Sequence, residues 1–133
     1  LVPVLTLAQR EFGWISPEVA EYLGGLMGYP ASDVLSVATF YTMLHKKPAG
    51  KHHMELCRNV SCWLMGTYAC LDEIKRLLKV DAGQVTPDGK FSFALTECLG
   101  SCGTAPAMQV GDRYYENLTP GRVREIIEKL SSE

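Results

Sequence analysis

The sequence has no excess of basic residues and no long apolar run, and each shortage excludes a class of protein. Thirteen Lys and Arg residues stand against fifteen Asp and Glu residues, which gives a net charge of -2. Nucleic acids and anionic membrane surfaces bind basic proteins, so we expect no nucleic-acid partner. The longest charge-free apolar stretch, residues 34–44, is far shorter than the roughly 20 residues that cross a bilayer, so we expect no membrane insertion.

The motifs of side-chain catalysis and nucleotide binding are missing as well. No Ser, His and Asp form a recognisable catalytic triad, no glycine-rich phosphate loop follows a strand, and no C-x-x-C redox pair is present. Gly24 and Gly25 lie within an apolar helical pattern, where close helix packing explains them better than phosphate binding. We therefore expect no catalytic residue in this chain and no dinucleotide site.

The first third of the sequence has a helical pattern. Ser16-Pro17 is typical of an N-cap followed by the first helical residue, and Gly28 and Pro30 end that helix. Ser32 or Asp33 is expected to cap a further helix. Four residues predict the apolar stripe of the helix that starts at Pro17: Val19, Tyr22, Leu23 and Leu26.

The rest of the sequence predicts a second domain of strands and helices. A polar connection at residues 46–50 contains proline and glycine, and it predicts a helical bundle over residues 1–47 and a second domain over residues 48–133. The fold class is α+β or α/β. The predicted elements are a strand at 52–57, a helix from about 63 to 79, a half-buried strand at 91–96, a hairpin of 108–110 and 113–115 around Gly111-Asp112, and a helix that opens at Thr119-Pro120.

Four of the five cysteines form two close pairs. Four residues separate Cys57 from Cys62, and three separate Cys98 from Cys102. Each pair lies where a predicted strand ends, so the two loops are expected to face each other at one sheet edge and to make one four-thiolate metal site. Cys70 falls within the predicted helix and is expected to be a buried free thiol. An odd count in a chain of this size favours reduced thiols over a disulfide framework.

The spacing of the cysteines indicates a metal but does not decide which one. Iron–sulfur clusters and structural zinc both take four cysteine thiolates. Small residues around Cys98 and Cys102 let backbone N–H groups approach sulfur, which favours iron and sulfide. Cys62 is expected just ahead of a helix, whose dipole favours the thiolate. Adjacent strand residues point to opposite faces, so at most one of His52 and His53 could join a zinc site, and we expect neither.

The aromatic residues have two interpretations. Six of them are expected to be core or half-buried packing residues: Trp14, Phe40, Tyr41, Trp63, Tyr114 and Tyr115. The segment Thr39–Leu44 is nevertheless more apolar than a small helical bundle requires, so an exposed patch for a partner subunit is the alternative there.

Several separated motifs occur in a specific order: VATFYTM at 37–43, C-x4-C at 57–62, ECLGSC at 97–102, Ala105-Pro106 and YYENLT at 114–119. Together they resemble the small [2Fe–2S] subunit of respiratory complex I, the 24-kDa or NuoE-type family. Relatives of this family occur in NAD-linked hydrogenases and formate dehydrogenases. The resemblance implies an N-terminal helical bundle joined to a thioredoxin-like [2Fe–2S] ferredoxin domain. It also implies that one cluster is held by Cys57, Cys62, Cys98 and Cys102.

The resemblance further implies an electron-carrier subunit of NADH:quinone oxidoreductase that performs no side-chain catalysis itself. Its cluster would exchange one electron with FMN, while FMN and NADH belong to a NuoF-type flavoprotein and a NuoG-type large iron–sulfur subunit lies nearby. Such a subunit lies in the peripheral arm on the cytoplasmic side of the bacterial inner membrane, or on the mitochondrial matrix side. The longest family members have extra N-terminal residues, so we expect a trimmed or processed chain.

Two alternatives to this function stay open at the level of the sequence. The first is a structural zinc module for protein–protein contact, which would use the same four cysteines without redox chemistry. The second is the equivalent subunit of an NAD-linked hydrogenase or formate dehydrogenase, which differs only in the assembly that the carrier serves.

Overall fold

Three short helices form the first of two structural units in the computed structural model, which describes all residues, 1–133. The helices are α1 (Val2–Phe12), α2 (Pro17–Met27) and α3 (Ala31–Phe40). The first unit spans Leu1–Ala49 and the second spans Gly50–Glu133, so the predicted boundary after residue 47 lies two residues earlier. None of the helices has the length and apolar character that crossing a membrane requires.

The ends of the first-unit helices follow from local sequence. The Ser16 hydroxyl accepts a hydrogen bond from the Val19 N–H, and Gly28 ends α2 in a left-handed conformation with φ of 75°. The predicted cap of α3 at Ser32 or Asp33 is wrong. The helix begins directly after Pro30, which supplies no side-chain cap, and both residues lie in its first turn.

The predicted apolar stripe of α2 is also wrong in part. Tyr22 and Leu26 are exposed, and the helix instead buries Ala20, Leu23 and Gly24. A Cβ atom at Gly24 would lie 2.6 Å from the Tyr29 carbonyl oxygen, so the backbone that leads into α3 passes against this glycine. The small residues face inward because the two helices approach closely there. The first-unit core consists of Leu5, Ala8, Ile15, Ala20, Leu23, Val34, Ala38 and Leu44.

The second unit contains four strands and three helices. Its elements are β1 (His52–Cys57), α4 (Val60–Leu64), α5 (Thr67–Leu78), β2 (Phe91–Thr96), a 3-10 turn (Cys102–Thr104), β3 (Met108–Val110), β4 (Arg113–Tyr115) and α6 (Pro120–Ser131). The predicted strands and the last helix are confirmed. The single helix predicted from about 63 to 79 is wrong, because Asn59 caps a separate helix and Gly66, with φ of 109°, interrupts the chain before α5.

The sheet has the order β2-β1-β3-β4. β1 and β2 are parallel, with His52 opposite Phe91 and Cys57 opposite Thr96, and the other two pairings are antiparallel. The core combines side chains of the sheet, such as Met54 and Phe93, with residues of α5 and α6. The half-buried alternation predicted for β2 is incomplete.

Buried polar side chains explain the departure in β2. Phe91, Ser92 and Phe93 are all buried, and the Ser92 hydroxyl is satisfied because it accepts the Gly50 N–H at 2.9 Å and bonds the His53 Nδ1 at 2.7 Å. The strand therefore buries both faces at its start and returns to intermediate burial only from Ala94 onward.

The aromatic packing prediction is wrong for four of its six residues. Phe40, Tyr41, Trp63 and Tyr114 are exposed, whereas Trp14 and Tyr115 are half-buried. The exposed residues lie at the end of α3, on the one-turn helix α4 and on the edge strand β4, where no second layer covers them. The alternative of an exposed apolar patch therefore describes residues 39–43 better, while Leu44 is buried.

A nearly buried ionic cluster joins α5 to α6. Glu73 is 9% exposed and accepts hydrogen bonds from Arg76 at 2.6 Å and from Arg124 at 3.0 Å. These contacts hold the pKa of Glu73 at about 2, below its ordinary value of 4.5, chiefly through the hydrogen bond from Arg76. The carboxylate is thus stabilised in its charged form in the folded chain.

Adjacent glycines of α2 give a matched test of the close helix approach. We expect Gly24→Ala to destabilise the chain by about 1–3 kcal/mol, because the added methyl group meets backbone at 2.6 Å. Gly25→Ala should stabilise it by about 0.5–1 kcal/mol, because a Cβ atom there meets nothing within 4 Å and alanine favours the helix. Denaturant unfolding measures both, and a neutral Gly24→Ala would contradict the packing.

The Glu73 cluster predicts a pH dependence of stability. Its folded pKa lies below the unfolded value, so its contribution is present above pH 4.5 and is lost as the pH falls toward about 2. Glu73→Gln should therefore lower the melting temperature at neutral pH and flatten the melting-temperature profile across that window. Asp72→Asn, which removes a charge from the exposed side of the same helix, is the control and should leave the profile unchanged. Equal profiles for Glu73→Gln and the unmodified chain would rule out this contribution.

Candidate metal centre

The two cysteine loops leave the same edge of the sheet. Cys57 is the last residue of β1 and lies opposite Thr96, the last residue of the parallel strand β2. Parallel strands end on the same side, so Cys98, two residues past Thr96, is carried to the edge where Cys57 lies. The structure places the loops where the sequence predicted them.

Cys57 and Cys62 form a buried pair. Their exposed fractions are 2% and 3%, and both pack with Ala105 and Ala107. The Cys57 N–H donates to the Ala107 carbonyl at 3.0 Å, and its carbonyl accepts the buried Thr67 hydroxyl at 2.8 Å. These bonds fix the backbone of Cys57 to the neighbouring chain and to the start of α5.

The expectation that the helix dipole favours a Cys62 thiolate is wrong. Cys62 lies within α4 rather than ahead of it, and burial raises the pKa of its thiol to about 11. The backbone at Ala107 lowers this pKa, but the dipole of a five-residue helix does not offset the loss of water.

Cys98 and Cys102 form an exposed pair. Their sulfur atoms lie 3.3 Å apart, and the Gly100 N–H donates to the Cys98 Sγ at 3.3 Å. Gly100 has φ of 79°, a left-handed conformation that suits glycine and turns its N–H toward the sulfur. This bond lowers the pKa of Cys98, and the contact with Cys98 raises the pKa of Cys102.

Polar contacts hold the two loops together. Arg58 donates to Glu97 at 2.9 Å, and the Asn59 amide donates to the other oxygen of Glu97 at 3.3 Å. The Arg58 N–H also continues the strand ladder to the Thr96 carbonyl at 3.0 Å. Each loop therefore has one residue next to its first cysteine in contact with the other loop.

The two cysteine pairs are neighbours. Ser61 on α4 hydrogen-bonds the Cys102 thiol, and the charge of Cys57 acts on Cys102. The side chains as they stand bring no three His, Cys, Asp or Glu residues together as a site for a single metal ion. The arrangement is two pairs of thiols rather than one cage.

A two-iron cluster fits this donor set in its chemistry. A [2Fe–2S] cluster takes four thiolates, two on each iron, and two pairs of thiols supply them. The Gly100 N–H already points at one sulfur, and Ala105, Ala107 and Leu99 supply apolar surroundings. Hydrogen bonds to sulfur and partial burial are features by which proteins tune such clusters.

Cys70 and the two strand histidines lie elsewhere. Cys70 is 1% exposed within the core of the sheet and α5, which confirms the prediction that it is buried. Its pKa is raised by burial. His52 and His53 open β1, at the opposite end of the strand from Cys57 and about 16 Å from it at the usual rise per residue. His53 bonds Ser92 instead.

Three residues that connect the loops were not identified from the sequence. Arg58, Glu97 and Thr67 all lie close to a site cysteine in the structure. Asn59 before Val60 is an N-cap signal that would have predicted α4. The contact between Arg58 and Glu97 has no sequence signal, because it depends on the pairing of β1 with β2.

Residues 1–131 match the model of the thioredoxin-like [2Fe-2S] ferredoxin family. The chain belongs to this family. As a thioredoxin-like [2Fe-2S] ferredoxin it is 41% identical over its whole length to an NADH-quinone oxidoreductase subunit of Rickettsia bellii, covering 80% of that protein. It is 40% identical to NADH-quinone oxidoreductase subunit 2 of Thermus thermophilus, over 98% of this chain and 72% of the relative. The resemblance to the small [2Fe–2S] subunit family is confirmed.

Other relatives of this ferredoxin belong to hydrogenases. The NADP-reducing hydrogenase subunit HndA of Solidesulfovibrio fructosivorans is 39% identical over 96% of the chain and 74% of the relative. A crystal structure of NAD+-reducing [NiFe]-hydrogenase in the H2-reduced state matches with a TM-score of 0.86 and 21% identity, over 98% of this chain and 22% of that chain. This structural match confirms the predicted fold class.

Proposed function

We propose that this chain is the electron-carrier subunit of an NADH:quinone oxidoreductase, with a [2Fe–2S] cluster that exchanges one electron with FMN of a partner subunit. The observation that carries the proposal is the meeting of two cysteine pairs at one sheet edge in a member of the [2Fe-2S] ferredoxin family. Whole-length relatives named as NADH-quinone oxidoreductase subunits support the assembly. When bound, such a cluster takes up and releases single electrons.

The protein would hold the cluster with Cys57, Cys62, Cys98 and Cys102. The buried pair excludes water from one side, because Cys57 and Cys62 have almost no exposed surface. The exposed pair leaves the other side at the protein surface. The Gly100 N–H stabilises negative charge on the Cys98 sulfur, and the Arg58 to Glu97 contact keeps the two loops at a fixed spacing.

The electron would enter and leave through the exposed edge, since it is the side of the site nearest to solvent. The sequence provides no dinucleotide motif, so FMN and NADH are assigned to a NuoF-type flavoprotein, and a NuoG-type large iron–sulfur subunit is the second partner. The assembly places the chain in the peripheral arm, on the cytoplasmic side of the bacterial inner membrane or on the matrix side in mitochondria.

An apolar surface beside the site is suited to the flavoprotein. We call it the α4 surface; it consists of Val60, Trp63, Leu64, Met65 and Tyr68. Trp63 is 56% exposed and Leu64 is 70% exposed, although both are large and apolar. The surface lies on the helix that carries Cys62 and packs against the turn that carries Cys102. A partner that covers it would approach the cysteine edge, and clustered apolar exposure is typical of interfaces.

The first unit offers a second apolar surface. Phe40 is 77% exposed and Tyr41 packs edge-on against it, with their ring centroids 5.1 Å apart. The segment that follows is held in place, because the Gln9 amide donates to the Met43 carbonyl at 2.9 Å. An ordered segment that exposes aromatic side chains is suited to a protein partner, because little ordering is needed on binding.

The equivalent subunit of an NAD-linked hydrogenase is a second candidate. The relative HndA favours it, because that protein is a subunit of an NADP-reducing hydrogenase and matches almost the whole chain. The residues that hold the cluster and those that form the α4 surface are the same in both cases. Neighbouring genes for quinone-reductase or hydrogenase subunits distinguish the two assemblies.

Cysteine variants test the ligand set. We expect Cys57→Ser, Cys62→Ser, Cys98→Ser and Cys102→Ser each to lose or strongly perturb the cluster, because a hydroxyl is a poor substitute for a thiolate. Iron and acid-labile sulfide are measured per chain after anaerobic preparation. Cys70→Ser is the matched control and should keep near-normal iron. Iron loss confined to Cys70→Ser would overturn the assignment.

Binding to the flavoprotein tests the two apolar surfaces. The double variants Trp63→Ser/Leu64→Ser and Phe40→Ser/Tyr41→Ser should each weaken association on the order of tenfold or more, since large apolar anchors dominate interfaces. Iron content should remain normal, because none of the four residues is a proposed ligand. Glu128→Gln, an exposed change on α6, is the control and should bind normally. Unchanged affinity in both double variants would exclude these surfaces.

A further inference from the structure

The exposed cysteine pair has a second chemistry open to it when no metal is bound. The Cys98 and Cys102 sulfur atoms lie 3.3 Å apart, and a disulfide forms at about 2.05 Å, so the sulfurs have to close by about 1.3 Å. Both residues are exposed, so a small oxidant reaches them. Only Leu99, Gly100 and Ser101 lie between them in sequence.

We infer that Cys98 and Cys102 form a reversible intramolecular disulfide in the cluster-free chain, and that this bond blocks cluster insertion. The disulfide is a modification site that goes beyond the proposed function. Its effect on insertion rests on the proposed function, because it requires both residues to be ligands. Sulfurs bonded to each other are no longer thiolates and cannot bind iron.

The loop holds the two sulfurs close through contacts made by the protein alone. The Gly100 N–H donates to the Cys98 sulfur, and the Thr104 N–H donates to the Ser101 carbonyl at 3.0 Å. The far end of the loop is fixed because the Asn117 N–H donates to the Thr104 carbonyl at 2.7 Å. The closeness of the pair therefore follows from the loop conformation, and little chain entropy is lost on closure.

The oxidation is balanced with a small-molecule disulfide as the oxidant. A thiolate of the pair attacks one sulfur of the oxidant, whose S–S bond breaks and releases one small thiol. The second cysteine then attacks the mixed disulfide, which forms the Cys98–Cys102 bond and releases a second small thiol. The two cysteines lose two electrons and two protons, and the oxidant takes up both as it becomes two thiols. A dithiol reductant reverses the exchange.

The other three cysteines are protected from the same oxidant. Cys57 and Cys62 lie close to each other but are 2% and 3% exposed, and Cys70 is 1% exposed in the main core. Thiol–disulfide exchange needs access of the oxidant to the attacking sulfur. The reaction should therefore select the exposed pair over the buried pair, although each contains two neighbouring thiols.

The test uses the full chain after iron removal by a chelator under anaerobic conditions, followed by oxidised glutathione. Titratable thiols should fall from five to three, since the pair contributes two, and the chain should lose the mass of two hydrogen atoms. Peptide mapping should place the bond between Cys98 and Cys102. Cys70→Ser should also lose two thiols, whereas Cys98→Ser should end as a mixed disulfide with glutathione at Cys102.

Loading with iron and sulfide then tests the blocking effect. The oxidised chain should take up no more than a small fraction of the iron bound by the reduced chain, and a dithiol reductant should restore uptake. Five remaining thiols, or a bond between Cys57 and Cys62, would overturn the disulfide, and full loading of the oxidised chain would overturn the block. A fully reduced chain that takes up no iron and sulfide would count against the proposed function, while the thiol count still decides the disulfide.

Discussion

The parallel pairing of β1 with β2 is the constraint on which the rest of the site depends. It places Cys57 opposite Thr96, so both cysteine loops begin at one edge of the sheet. The chain must cross between these strands, and it does so through α4 and α5, which puts Cys62 next to Cys57. A slip of one residue would turn Cys57 to the other face and separate it from Ala107.

The site has two unlike halves, and the difference comes from where each pair lies in the fold. Cys57 and Cys62 are attached to regular elements and covered by Ala105 and Ala107. Cys98 and Cys102 lie on a loop and a 3-10 turn at the surface. An electron carrier needs both properties, because burial limits reaction with water and exposure brings the cluster near a partner. The same exposure makes the second pair open to oxidation when the cluster is absent.

Local signals in the sequence were sufficient for much of the fold. The hairpin around Gly111 and the capped helix after Thr119 were predicted because their turn and cap residues act within a few positions. Packing between distant residues was not predictable in this way. The inward face of α2 depends on the approach of Tyr29 to Gly24, and the exposure of Trp63 depends on α4 being a separate helix. The cysteine pairs were recognisable from spacing, but their unequal burial was not.

The central claim is that the two pairs hold a redox-active iron–sulfur cluster, and the most direct measurement is metal and sulfide analysis of the wild-type chain with EPR spectroscopy. The chain is prepared anaerobically from its native source and reduced with dithionite. The account predicts about two irons and two sulfides per chain and an S = 1/2 signal from the reduced cluster. Stoichiometric zinc without such a signal would contradict it and would make the chain a structural module.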